Sequence, residues 1–264
     1  MRWTRRRVVL AVLGGLVGVA AAAAPLAGAL DPIRDGADSR VVLSSGRAYL
    51  LHTPPLLRRL PAMAEGRPAM IVLHGVKDTP EHFESVAGFR AWSDRDGDLV
   101  AYPEGVRESF NAGLCCGDAS AYGVDDVTFL SDVVSDLRAR GAGRIAVVGF
   151  SNGGMMAYRL GCARPDLVDT VGVMSGTLEI PHCDGPITAL HLHGLKDTAV
   201  PFTGERYSTR LRCFLRDVRT IRSAAPGSDI VIQQLPGYPH RWTVPGDEVD
   251  ATAAFWRFAR MGQG

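Results

Sequence analysis

The segment that most restricts the architecture runs through residues 144–163. Arg144-Ile145-Ala146-Val147-Val148-Gly149-Phe150 is a nearly continuous apolar run, as expected of a strand covered on both faces. It passes without a spacer into Ser151-Asn152-Gly153-Gly154 and a helical stretch from Met155 to Ala163. A strand that becomes a helix across one residue strains the backbone there, and small residues must flank it two positions away. Gly149 and Gly153 meet that demand, so the chain is built around a sharp strand-to-helix turn with Ser151 at its apex.

Other runs extend the pattern. Residues 69–73, 98–102, 168–174, 188–193 and 229–235 read as strands, and residues 39–52 as a hairpin around Ser44-Ser45-Gly46. Residues 80–92 are predicted as one helix and residues 249–261 as an amphipathic last helix. Val127, Leu130, Val134 and Leu137 recur at helical spacing behind Asp125 or Asp126 as the cap. Residues 105–124, rich in Gly, Ala and Asn, read as a long functional loop. Alternating strands and helices imply an α/β fold: a mostly parallel central sheet with helices on both faces. The 264 residues suit one domain, expected over residues 30–264.

Residues 1–29 carry the three parts of an export signal. Arg2, Arg5, Arg6 and Arg7 form a basic start, an uncharged apolar stretch spans residues 8–24, and Ala27-Gly28-Ala29 fits a cleavage site before Leu30. Thr4 to Leu10 also has the look of a twin-arginine signal. The rival reading is an uncleaved membrane anchor, since the apolar stretch is almost long enough to span. A secreted or extracytoplasmic location is expected in either case.

The full chain has a net charge of +1, and cleavage after Ala29 leaves 25 basic against 28 acidic residues. That balance gives no case for a nucleic-acid partner, nor for a membrane partner unless residues 1–29 are retained. Five cysteines, Cys115, Cys116, Cys162, Cys183 and Cys213, follow the signal, so disulfides are expected and one thiol is left over. The working pairing joins Cys115 or Cys116 to Cys162, and Cys183 to Cys213. Without C-x-x-C pairs, no metal site is expected, and no cofactor.

Gly149-Phe150-Ser151-Asn152-Gly153 matches G-x-S-x-G in the strand–helix context that gives the motif meaning. A serine hydroxyl needs a base to remove its proton, commonly a histidine oriented by a carboxylate. In a fold of this kind both partners follow the serine in the chain. Of His182, His191, His193 and His240, the first reads as a surface-loop residue and the next two fall within a strand. His240 lies in a loop between the last strand and the last helix, which makes it the candidate base. Asp197 follows the strand at 188–193 and is the candidate acid, ahead of Asp184, Asp217 and Asp229. The N–H groups of Asn152 and Val76 are the candidate oxyanion donors, and His74 reads as a structural residue.

Together these pieces resemble the exported polyhydroxybutyrate depolymerases and the feruloyl and acetylxylan esterases, which are α/β-hydrolases. The matching motifs are Leu73-His74-Gly75, Asn111-Ala112-Gly113 with Cys115-Cys116-Gly117, Val124 to Val127 and Gly149 to Met156. Leu160-Gly161-Cys162, His193-Gly194 with Asp197 and Val200-Pro201-Phe202, and His240 with Trp242 complete the set. The resemblance implies Ser151, Asp197 and His240 as the triad. It also implies an aromatic-edged cleft to which Trp242, Phe202 and Tyr102 contribute. Tyr238-Pro239 stands before the base histidine where the family often has glycine. Ester hydrolysis through an acyl-enzyme, on a small or oligomeric ester, is the implied activity. Acyl transfer by the same residues and a non-catalytic envelope-binding protein are the alternatives.

Overall fold

The computed structural model describes residues 30–32, 38–208 and 211–261. The expected export segment, residues 1–29, lies outside the described residues. Nine strands form the main sheet: β1 (Leu30–Pro32), β2 (Asp38–Val42), β3 (Ala48–His52), β4 (Arg67–Leu73), β5 (Leu99–Pro103), β6 (Ala142–Phe150), β7 (Thr170–Met174), β8 (Thr188–Gly194) and β11 (Asp229–Leu235). Their spatial order is β1-β2-β3-β5-β4-β6-β7-β8-β11. From β5 onward every neighbour is parallel, while β1, β2 and β3 are antiparallel to their neighbours. β9 (Glu205–Ser208) and β10 (Cys213–Leu215) make a separate ribbon.

Helices cover both faces, and alternate residues of each central strand serve the two layers. Ile71 of β4 and Val147 of β6 pack in the layer of α5 (Asp126–Ala139) and α6 (Asn152–Ala163), with Phe129, Leu130, Met155 and Tyr158. Met70 and Val148 point the other way, toward α2 (Pro80–Ala87), α3 (Phe89–Asp96) and α8 (Ala251–Arg260), with Phe83, Phe89, Phe255 and Trp256. Burying each such side chain contributes about 1.5–3 kcal/mol, which makes these strands the rigid base of the molecule. Shorter helices, α1 (Pro55–Arg59), α4 (Gly117–Ala121) and α7 (Ile221–Ala224), lie in the connections. This is the α/β-hydrolase arrangement.

Two expectations are corrected. Residues 80–92 are not one helix, because Gly88 takes a left-handed conformation (φ 67°) that closes α2 and starts α3. The break lets Phe83 and Phe89 both face the sheet, each almost fully buried. The disulfides are Cys115–Cys213 and Cys162–Cys183, with Cys116 free and buried. Cys162 stands near the far end of α6, eleven residues from Ser151 and so roughly 16 Å along the axis. Cys115 and Cys116 lie at the opposite end of that helix, out of its reach. Cys183 is the neighbour within reach, its loop held by the bond from Asp184 N–H to the Cys162 carbonyl at 3.1 Å.

Candidate active site

Because β6, β8 and β11 run parallel, the loops leaving their carboxyl ends gather at one edge of the sheet. Ser151 follows β6, Asp197 follows β8 and His240 follows β11. Ser151 has φ 53° and ψ −121°, a strained backbone that presents its side chain at the start of α6. The strain persists because the flanking backbones pack too closely for any side chain. A Cβ on Gly149 would lie 2.2 Å from the Gly153 carbonyl carbon, and one on Gly153 would lie 2.2 Å from the Leu73 carbonyl oxygen. That second approach also brings the loop after β4, which carries Val76, beside the serine.

His240 Nε2 lies 3.0 Å from Ser151 Oγ, and His240 Nδ1 lies 2.6 Å from Asp197 Oδ2. Asp197 is almost fully buried, and its other oxygen accepts the N–H groups of Ala199 at 2.9 Å and Val200 at 2.8 Å. The carboxylate accepts from Nδ1–H, which leaves the Nε2 lone pair to accept a hydrogen bond from the Ser151 hydroxyl. The His240 ring lies 4.8 Å from that of Phe150, centroid to centroid. Its loop is laced to the loop of Asp197 by Lys196 N–H, which donates to the Tyr238 carbonyl at 2.9 Å. The Tyr238 carbonyl therefore helps to seat His240.

A cavity of about 440 Å³ opens beside these groups. Ser151, His240 and Phe150 form one side, with Gly75, Val76, Lys77 and Asp78 from the loop after β4. Cys116, with Gly117 and Asp118 at the start of α4, and Ala199, Leu211 and Arg212 complete the lining. His74 lies beneath, its Nδ1–H donating to the Gly75 carbonyl at 2.8 Å and its Nε2 accepting Gly105 N–H at 3.1 Å. Burial pushes its pKa down, consistent with a neutral ring that braces the loop.

No protein-family model matches the chain. Esterase NocK of Nocardia uniformis subsp. tsuyamanensis is 38% identical over 173 residues, 62% of this chain and 49% of that protein. Feruloyl esterase C of Emericella nidulans is 41% identical over 116 residues, 43% of this chain and 34% of that protein. The bifunctional acetylxylan esterase/xylanase XynS20E of Neocallimastix patriciarum is 23% identical over 145 residues, 53% of this chain and 21% of that protein.

The chain is similar to feruloyl and acetylxylan esterases. The match spans half or less of the length of these relatives. Among solved structures, a CIB-like hydrolase from Thermoplasma acidophilum aligns with a TM-score of 0.54 at 18% identity, over 89% of this chain and 100% of that one. The acetyl xylan esterase from Aspergillus awamori aligns with a TM-score of 0.50 at 16% identity, over 62% of this chain and 74% of that one. These likenesses establish the fold.

The cavity is not edged by the aromatic residues expected of it. Tyr102 is 1% exposed on the α2–α3 face of the sheet. Trp242 is wedged among Phe83, Phe89, Phe150 and Phe255, with its Nε1–H donating to Thr252 Oγ1 at 3.0 Å. Two residues past His240, it anchors the loop of His240 to the core from below. Phe202 packs against His193 with the two rings nearly perpendicular and their centroids 5.5 Å apart, and does not line the cavity. Sequence reasoning missed Lys77, Asp118, Leu211 and Arg212, which line it. The last two reach it through the β9–β10 ribbon, whose short strands carry no periodic signal.

Two clusters of potential metal ligands lie within 4.8 Å among the described residues. In one, Cys115 and Cys213 share a disulfide beside Cys116. In the other, Asp38, His52 and Glu84, the Arg90 guanidinium bonds both carboxylates.

Proposed function

We propose that this chain is an exported carboxylic-ester hydrolase that works through a serine-bound acyl-enzyme. The observation that carries the reading is the continuous hydrogen-bonded series Ser151 Oγ, His240, Asp197 at 3.0 and 2.6 Å beside an open cavity. Ser151 Oγ attacks the ester carbonyl carbon while its proton passes to His240 Nε2. Asp197 stabilises the imidazolium that results. The carbonyl electrons move onto oxygen, and the N–H groups of Val76 and Asn152 donate hydrogen bonds to that oxyanion, the latter at the positive end of α6. Collapse of the intermediate expels the alcohol, which takes the proton from His240. Water then gives a proton to His240 and its oxygen to the acyl carbon; the acyl–Oγ bond breaks, releasing the acid, and Ser151 Oγ takes the proton back from His240.

The names of similar proteins suggest feruloyl or acetyl esters as the first substrates to try. Two disulfides support a location outside the cytosol. The partner is then the ester itself, small or oligomeric, and the chemistry calls on no metal or cofactor.

The test is Ser151→Ala assayed on a short-chain chromogenic ester and on methyl ferulate. Loss of roughly 10³-fold or more, with an unchanged circular dichroism spectrum, is expected. Equal rates for wild type and variant would overturn the reading.

A further inference from the structure

Behind the acid lies a file of polar side chains sealed from solvent. Tyr158, His191 and His193 are each 0% exposed. Tyr158 Oη lies 2.9 Å from His191 Nδ1, His191 Nε2 lies 2.9 Å from His193 Nδ1, and His193 Nε2 lies 2.8 Å from the Val200 carbonyl. The carbonyl fixes every proton, because it can only accept. His193 therefore carries its hydrogen on Nε2 and accepts at Nδ1. His191 donates from Nε2 and accepts the Tyr158 hydroxyl at Nδ1. Both rings are neutral in this arrangement, and burial disfavours their charged forms.

The ends of the file connect the nucleophile to the acid. Tyr158 belongs to α6, about two turns beyond Ser151. Val200, whose carbonyl closes the file, donates its own N–H to Asp197 Oδ1 at 2.8 Å. His193 Nε2 itself stands 3.7 Å from Asp197 Oδ2, the oxygen that meets His240. Asp197, His240 and the neighbouring His191 are the titratable groups beside His193, and Arg222 acts on Tyr158. A neutral His193 leaves the whole carboxylate charge for His240. Three apolar side chains would fill this part of the core without any need for matched donors and acceptors, whereas a file with one broken link leaves buried groups unpaired.

We propose that Tyr158, His191 and His193 are positioning residues that hold the Asp197 loop in register with α6, and so keep the carboxylate aimed at His240. The proposal rests on the ester-hydrolase reading and goes beyond it, since none of the three touches the substrate.

The experiment compares wild type, His193→Leu, His193→Gln and Tyr158→Phe, with active sites counted by a serine-directed phosphonate. His193→Leu should lower kcat per titrated site by about tenfold or more with KM within about twofold, because a small misplacement near the chemistry is costly. The acidic limb of its kcat/KM profile should move to lower pH, since the imidazolium has lost part of its carboxylate support. His193→Gln, which still donates to Val200, should recover most of kcat. Tyr158→Phe should lower kcat a few-fold in the same sense, and it keeps the test open should His193→Leu fail to fold. Unchanged kcat and an unchanged acidic limb in Tyr158→Phe or His193→Leu, with only a lower melting temperature, would overturn the proposal. A wild type that neither takes the phosphonate nor cleaves any ester would instead overturn the reading beneath it, and the proposal with it.

Discussion

Asn152 holds the backbone of Phe110 at both polar groups: its Oδ1 accepts the Phe110 N–H at 2.8 Å, and its amide N–H donates to the Phe110 carbonyl at 2.9 Å. The residue after Ser151 thus fastens the long loop at 105–124 to the strand–helix turn. The same loop is tied a second time where Asn111 N–H donates to Asp126 at 2.6 Å, and Asp126 in turn pairs with Arg47 at 2.9 Å.

Asn152→Ala should separate the two roles of this position. The backbone N–H stays, so the proposed oxyanion donor is untouched. The Phe110 N–H and carbonyl, however, lose their partners inside a buried site, where each unsatisfied group costs about 1–3 kcal/mol. We expect destabilisation of about 2 kcal/mol or more and a melting temperature lower by several degrees. KM should rise more than kcat falls, because the loop that carries Cys116, Gly117 and Asp118 forms a wall of the cavity. Thermal unfolding with steady-state kinetics checks this, and a variant with wild-type melting would mean that other contacts hold the loop.

The architecture was legible where one rule decided the outcome. The apolar run ending at Phe150 and the spacing of Gly149 and Gly153 required a buried strand, a sharp turn and a helix. The chain order then placed Asp197 and His240 on later loops at the same edge. What escaped was set by contacts distant in sequence. Trp242 and Tyr102 are aromatic, and aromatic residues serve a cleft and a core equally well. Only the packing of α2, α3 and α8 assigns both to the core. Leu211 and Arg212 reach the cavity through a ribbon of strands three and four residues long, too short for period-two alternation to register. Cysteine pairing depends on which helix end faces which loop, and residue spacing does not carry that information.

The two disulfides should differ in their contribution. Cys115–Cys213 spans 98 residues and Cys162–Cys183 spans 21. Restriction of the unfolded chain then favours the first, about 4.7 against about 3.3 kcal/mol by loop entropy. The Cys115→Ser/Cys213→Ser variant should therefore melt at a lower temperature than Cys162→Ser/Cys183→Ser. It should also lose more activity, because Cys213 adjoins Arg212 at the cavity. Melting curves of the two double variants, run in parallel without reductant, decide the order.

Cys116 should behave as an inert thiol in the folded protein although it sits at the cavity wall. Its side chain is 3% exposed, and burial, with the Glu179 carboxylate adding to it, pushes the thiol pKa up to about 12. At pH 8 almost none of it is thiolate, the form that reacts. Iodoacetamide should leave the native chain unmodified and add one carboxamidomethyl group once urea unfolds it under non-reducing conditions. Mass spectrometry reads both outcomes, and rapid labelling of the native protein would contradict the placement of this side chain.

Glu179 supplies a pH-dependent stability term whose sign follows from its surroundings. The residue is 1% exposed, its Oε1 accepts Thr177 Oγ1–H and the Arg216 N–H, and its Oε2 has no partner among the described residues. Burial raises its pKa above the ordinary value of 4.5, outweighing those two hydrogen bonds and the charge of Arg216. A group that binds its proton more tightly when folded supports the fold fully below the unfolded pKa, and this support is lost as pH rises through the folded one. Wild type is thus penalised above that window by an incompletely partnered, buried carboxylate. Glu179→Gln keeps the Oε1 acceptor and removes the charge. It should melt higher than wild type at pH 7–8, with the difference shrinking as pH falls toward 4.5. A gain that is the same at pH 4 and pH 8 would show that shape at this position, rather than charge, is what the substitution changed.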